Sequence, residues 1–141
     1  MIITKEVEFP MGHRLKDHPG LCQHLHGHNY RVEVHIEGDL NIQGMVYDFS
    51  DLKSAMKVLD KYDHAMVLQT TDPLLSYAVA HTILGWGRLI VIDSPPTAEN
   101  LARLWCGDIN AMLPVGVDVT EIRVFESSTT SAIFRPVEKD R

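Results

Sequence analysis

His26-Gly27-His28 is the segment whose residue types and spacing most directly suggest chemistry. Residues two apart on an extended chain project to the same face, and imidazole is the commonest side-chain ligand for zinc. A pair alone holds a metal poorly. His13 ends another strand-like run, residues 7–13, and can supply a third nitrogen from a neighbouring strand. Three neutral imidazoles with a fourth position left open make the ligand set of a catalytic zinc, whereas a structural site closes all four positions.

Cys22 lies four residues before His26 and admits three readings. It can complete a closed structural site, be an inert thiol as free cysteines usually are, or act as a reactive group beside the metal. His18, His24, His35 and His81 read as surface or hydrogen-bonded core residues. Gly20, His26, His28, Glu33 and Gly38 imitate the first motif of a cupin. The interval from Glu33 to Gly38 is too short for that fold, and no later Pro-x-Gly-x-x-His segment supplies the remaining ligand. Asp63-His64 is a second candidate pair: either a proton-transfer dyad or a histidine beside a helix end with a solvated acid next to it.

The remaining residues must position these groups. A chain of 141 residues suits one compact domain, residues 1–141, long enough to bury a substantial core. A net charge of -6 argues against a general nucleic-acid binder, since phosphate contacts need clustered Lys and Arg. A small anionic substrate held by a local basic pocket stays compatible with it. No apolar run approaches the roughly 18 residues that a membrane span requires, and the start lacks the basic-then-apolar plan of a signal peptide. Two cysteines in different contexts give no disulfide framework. The expectation is a cytoplasmic protein that binds neither membrane nor nucleic acid.

Alternation predicts a strand over residues 2–11, with Ile3, Lys5, Val7 and Phe9 on one face, and a clearer one over residues 28–38, where Tyr30, Val32, Val34 and Ile36 oppose Arg31, Glu33, His35 and Glu37. Asp17, Pro19 and Gly20 mark a loop between them, so Cys22 rides on a turn. Met45-Val46-Tyr47 reads as a return strand. After Asp48 the period changes: Phe49, Leu52, Ala55, Met56, Leu59 and Tyr62 give a helix one apolar face, with Asp48 or Ser50 as cap. Asp72-Pro73 predicts the start of a short amphipathic helix carrying Leu74, Leu75, Ala78, Val79 and Ile83, ended by Gly85-Trp86-Gly87. Arg88–Ile92 reads as a short buried strand. Thr97 caps a second long helix with Leu101, Ala102, Leu104, Trp105, Ile109 and Met112 inside and Cys106 as core. Residues 117–125 and 132–134 close the chain as strands before a charged tail. Two long helices on one face of an antiparallel four-stranded sheet make an α+β layer arrangement, with residues 65–96 as an insertion. Its exposed edges are a liability, so subunits are expected to pair edge to edge into a barrel.

Taken together, Phe9 with His13, Cys22-x-x-x-His26-Gly27-His28, Gly44-Met45-Val46-x-Asp48-Phe49, Asp63-His64, Pro96-Thr97-x-Glu99-Asn100 and Glu126 resemble, in order and character, the 6-pyruvoyltetrahydropterin synthase superfamily, and within it the 6-carboxy-5,6,7,8-tetrahydropterin synthases. The resemblance runs from about residue 7 to about residue 134. It implies the tunnelling fold (T-fold), a homohexamer built as a dimer of trimers, and Zn2+ on His13, His26 and His28. It also implies a carbon-carbon lyase of queuosine and 7-deazapurine biosynthesis that converts 7,8-dihydroneopterin triphosphate to the carboxy product with loss of acetaldehyde and triphosphate. Cys22 is then the proton-transfer group, assisted by Asp63 and His64, and Glu126 grips the pterin with help from Thr97. Arg14, Lys53 and Arg103 are candidates for the triphosphate. The same resemblance leaves a related pyruvoyl enzyme as an alternative; a non-catalytic zinc protein is the other.

Overall fold

A computed structural model describes residues 1–85 and 87–137. Its first two strands, β1 (Ile2–His13) and β2 (His26–Gly38), run antiparallel in unbroken register from Ile2 opposite Glu37 to His13 opposite His26. That register follows from the alternation of both segments, because a slip by one residue would turn every apolar side chain to the wrong face. Phe9, Met11, Tyr30, Val32, Val34 and Ile36 all point to the buried side. Helix α1 (Phe49–Ala55) opens with the Asp48 side chain accepting the Ser50 amide, and tightens into a 3-10 helix over Met56–Tyr62. Strand β3 (Ala65–Gln69), helix α2 (Leu75–Ile83) and strand β4 (Arg88–Ile92) follow, then helix α3 (Ala98–Asn110), strand β5 (Val117–Phe125) and strand β6 (Ser131–Phe134).

The sheet has six strands in the order β4-β3-β1-β2-β5-β6, where a four-stranded one was expected, and the three helices comprise the two on its face and the short one predicted after Asp72-Pro73. The extra strands come from residues 65–96. Ala65-Met66-Val67-Leu68 is a continuous apolar run, as in strands covered on both faces, and it pairs in parallel with β1 at Gly12 and His13 and with β4 along its length. Parallel neighbours need a crossover, which α2 supplies between β3 and β4. The sheet is therefore mixed rather than antiparallel throughout. α2 begins at Leu75, two residues beyond the Asp72-Pro73 signal, and buries none of its own residues. Trp86, expected at its end, and the charged tail from residue 138 onward lie outside the described residues.

Residues 45–47 form no strand. Asn41 accepts the amides of Gln43 and Met45 through its side-chain oxygen and donates its own amide to the Met45 carbonyl, so this stretch closes on itself as a turn. Val46 is buried and Tyr47 packs partly buried against the core, while Met45 is exposed. Phe49, Leu104 and Met112, read as inward-facing, are exposed.

One face of the sheet packs on Leu52, Met56, Leu59 and Tyr62 and on Leu101, Ala102, Trp105 and Ile109. Trp105 centres it, with Phe9, Tyr30 and Tyr62 rings at 5.7, 6.1 and 5.2 Å in edge-to-face arrangements. Cys106 is buried in the same layer, as expected. A register shift of β5 against β2 at His35/Ile36 lets both Val119 and Ile122 face this core although they are three residues apart. No helix among the described residues is long and apolar enough to cross a membrane.

Candidate metal centre

The β1–β2 register brings the three histidines together. His13 lies directly across from His26, and His28 follows on the same face, so their rings sit with centroids 4.6, 5.2 and 5.1 Å apart at the end of the core. One ring nitrogen from each lies within 4.8 Å of the other two. Among the described residues this is the one group of three or more His, Cys, Asp or Glu side chains so gathered.

The surroundings favour metal-binding imidazoles. His13 Nδ1 is 2.7 Å from the Pro96 carbonyl and His26 Nδ1 is 2.7 Å from the His24 carbonyl. A carbonyl can only accept, so Nδ1 carries the proton and the Nε2 lone pair is left for a metal. Burial pushes the His13 pKa down, against the opposing pull of the Pro96 carbonyl and the Glu126 charge. His13 is thus neutral at physiological pH, the state a metal requires.

Behind the triad stands Tyr30, which the sequence reading treated only as core. Its hydroxyl is 3.2 and 3.3 Å from the two ring nitrogens of His13 and donates to Glu126 Oε1 at 3.3 Å. Burial pushes its phenol pKa up, and the neighbouring Glu126 charge adds to this, so it remains a donor. The signal was present: Tyr30 continues the two-residue spacing of His26 and His28 on one strand face. Glu126 Oε1 lies 3.9 Å from His13 Nε2. The structure therefore sets the expected ring-binding carboxylate beside the imidazole cluster within one chain.

Thr97 caps α3, its hydroxyl accepting the Asn100 amide at 3.2 Å. It also lines, with Glu126, Leu15 and Thr130, a cleft of about 270 Å3. Cys22 sits half-buried on a short 3-10 turn, Leu21–Gln23, and is not one of the gathered donors. The arrangement is thus three imidazoles without a thiolate to close the shell. Asp63 and His64 form a pair with Nδ1 to Oδ1 at 2.6 Å, exposed at the entry to β3. The His64 backbone has φ 59°, and its amide donates to the Pro10 carbonyl at 2.8 Å. His64 and His28 line a common cleft of about 620 Å3 with Met11, Gly12 and Arg88. Of the triphosphate candidates, Arg14 is held by Asp72, Arg103 lies over the Phe134 ring, and Lys53 is exposed on α1.

Known proteins resemble this chain along most of its length. The family model for 6-pyruvoyl tetrahydropterin synthase matches residues 2–137. A 6-carboxy-5,6,7,8-tetrahydropterin synthase from Haemophilus influenzae is 36% identical over 134 residues, covering 91% of this chain and 94% of that protein. A putative 6-carboxy-5,6,7,8-tetrahydropterin synthase from Pyrococcus abyssi is 37% identical over 130 residues, covering 83% of this chain and 77% of that one. Among solved structures, an uncharacterized protein from Wolinella succinogenes superposes with a TM-score of 0.84 at 25% identity, covering 96% of this chain and 97% of its own. The Caenorhabditis elegans 6-pyruvoyl tetrahydropterin synthase shares the fold at a TM-score of 0.71 and 22% identity, with 97% and 96% covered. With the family model spanning nearly every residue that builds the histidine cluster and its supporting sheet, the chain belongs to the 6-pyruvoyl tetrahydropterin synthase family.

Proposed function

We propose that this protein is a zinc-dependent pterin synthase that converts 7,8-dihydroneopterin triphosphate and one water to 6-carboxy-5,6,7,8-tetrahydropterin, acetaldehyde and triphosphate. The reaction class is that of a carbon-carbon lyase, serving 7-deazapurine synthesis in the cytoplasm. The observation that carries the reading is the juxtaposition of three imidazoles, all within 4.8 Å of one another, with a carboxylate 3.9 Å from one of them. Relatives named as carboxytetrahydropterin synthases at 30–37% identity support the choice of product.

His13 and His26 would hold the metal through Nε2, and His28 would supply the third imidazole nitrogen. Zinc bound there supplies Lewis acidity to the side-chain hydroxyls of the substrate. Glu126 accepts two hydrogen bonds from the amino-pyrimidinone edge of the pterin, while Tyr30 orients that carboxylate by donating to one of its oxygens. Cys22 moves the proton between the side chain and the ring as general base and acid, and the Asp63–His64 pair relays it. Thr97 lines the pterin cleft beside Glu126.

The open flanks of the sheet support closure between subunits. Before Gly12, β1 has no partner among the described residues on the side where β3 joins it, and β6 forms one outer edge. Pairing along such edges gives the barrel and, by stacking two trimeric rings, the hexamer.

Product analysis tests the reading. Incubated with dihydroneopterin triphosphate, the zinc-loaded protein is expected to release acetaldehyde in one-to-one proportion with the carboxypterin, read by a coupled NADH assay and mass spectrometry. A pterin product that retains its three-carbon side chain overturns it in favour of a pyruvoyl-type reaction. A protein that binds zinc stoichiometrically and leaves the substrate unchanged overturns it in favour of a non-catalytic role.

A further inference from the structure

Arg14 follows His13 directly, yet its guanidinium turns away to a residue of the 65–96 segment. Nε and Nη2 donate to the two oxygens of Asp72 at 2.8 Å each, and Nη1 donates to the Gln23 carbonyl at 3.2 Å. Next to it, the Leu15 amide donates to the Cys22 carbonyl at 2.8 Å. The Asp72 side chain is 1% exposed and that of Arg14 16%. Asp72 Oδ1 also accepts the Leu74 amide at 2.8 Å, at the approach to α2. Burial works against the Asp72 charge, but the Arg14 fork and the Leu74 amide outweigh it and hold the carboxyl below its ordinary pKa. The Arg14–Asp72 pair thus joins three pieces of backbone: the end of β1, the turn that carries Cys22, reached by the guanidinium, and the approach to α2, reached by the carboxylate.

The same parts also face each other across an apolar cleft. Leu25, between the turn and β2, lines a cleft of about 260 Å3 with Leu68, Leu74, Tyr77 and Leu89, all from the 65–96 segment. The loop from Arg14 to Leu25 is thus hydrogen-bonded to this segment at one end and faces it across an apolar cleft at the other. A guanidinium matched to both carboxylate oxygens fixes orientation as well as distance, which a lysine in its place would not do.

We propose that Arg14 and Asp72 form a clamp that seats the Cys22 turn, making both of them positioning residues of the site and giving the 65–96 segment a direct part in placing the thiol. The inference rests on the role given to Cys22 above. It reassigns Arg14 from the triphosphate to the scaffold of the site.

The test reads the position of Cys22 separately from catalysis. On zinc-loaded protein, the rate of Cys22 alkylation by iodoacetamide is followed by mass spectrometry, with buried Cys106 as the reference thiol on the same chain. Arg14→Met and Asp72→Asn are each expected to change that rate by at least about threefold, and the double variant by no more than either single one, because all three lose the same interaction. Zinc content is expected to be unaltered, and kcat to fall about tenfold with KM little changed, as for a displaced reacting group. Arg14→Lys, which keeps the charge and loses the fork, is expected to lie between. Alkylation rates unchanged in Arg14→Met, or effects that add in the double variant, overturn the clamp. Should Arg14→Met fail to fold, Arg14→Lys decides by the same criterion. A protein in which alkylation responds as expected but no acetaldehyde is formed keeps the clamp and loses the catalytic reading; acetaldehyde formation with unresponsive alkylation does the reverse.

Discussion

Replacing His28 by alanine is expected to leave a folded protein that no longer retains a stoichiometric divalent ion and has no measurable turnover. The three imidazoles lie at the end of the core, beyond Tyr30 and Met11, and the packing around Trp105 does not depend on the His28 ring. The sheet register is set by the alternating apolar residues of β1 and β2, which stay in place. Removal of an outer hydrogen-bond partner of a metal ligand typically lowers affinity or activity about 10–100-fold; removal of one of only three ligands is expected to exceed that. Metal analysis by plasma mass spectrometry, together with circular dichroism, checks both halves. Full metal retention by this variant would mean that the gathered nitrogens are not the binding set.

Cys22→Ala is expected to behave in the opposite way with respect to metal. Its thiol is not among the donors that cluster, so zinc content should remain that of the unsubstituted protein. Turnover should fall by roughly 10^2–10^4, the range for loss of a positioned general acid or base. Loss of zinc on this change would mean that the thiolate closes the coordination shell and that the centre is structural. The two variants together separate holding the metal from moving the proton.

How much of this was legible in the sequence depended on the kind of signal. β2 could be read because one of its faces is buried and the other is not, which writes alternation into residues 28–38. α3 could be read because Thr97 marks its start and its inner face recurs at helical spacing. Arg88–Ile92 could be read as a strand with its observed bounds, but β3 carries no comparable mark: Ala65-Met66-Val67-Leu68 is apolar without alternation, and the parallel pairing of both strands leaves no tight turn to announce it. The expected strand at residues 45–47 had the right residue types, and the Asn41 side chain overrode them by offering the backbone a turn.

The site shows the same division. His13, His26 and His28 were found from spacing and from the strand assignments, which are local properties. The link from Tyr30 to Glu126 spans 96 positions, and that from Arg14 to Asp72 spans 58. Such contacts depend on how the sheet is ordered, and no short window of sequence contains them. Glu126 entered through resemblance to a family; in the structure its carboxylate reaches the same tyrosine that touches His13.

X-ray absorption at the zinc edge of the resting, zinc-loaded protein tests the central claim most directly. The account predicts a first shell of nitrogen and oxygen alone at about 2.0–2.1 Å, with the multiple-scattering pattern of three imidazoles and a light atom from solvent in the remaining position. A sulfur scatterer at about 2.3 Å would contradict it, because Cys22 would then occupy the position that the substrate needs.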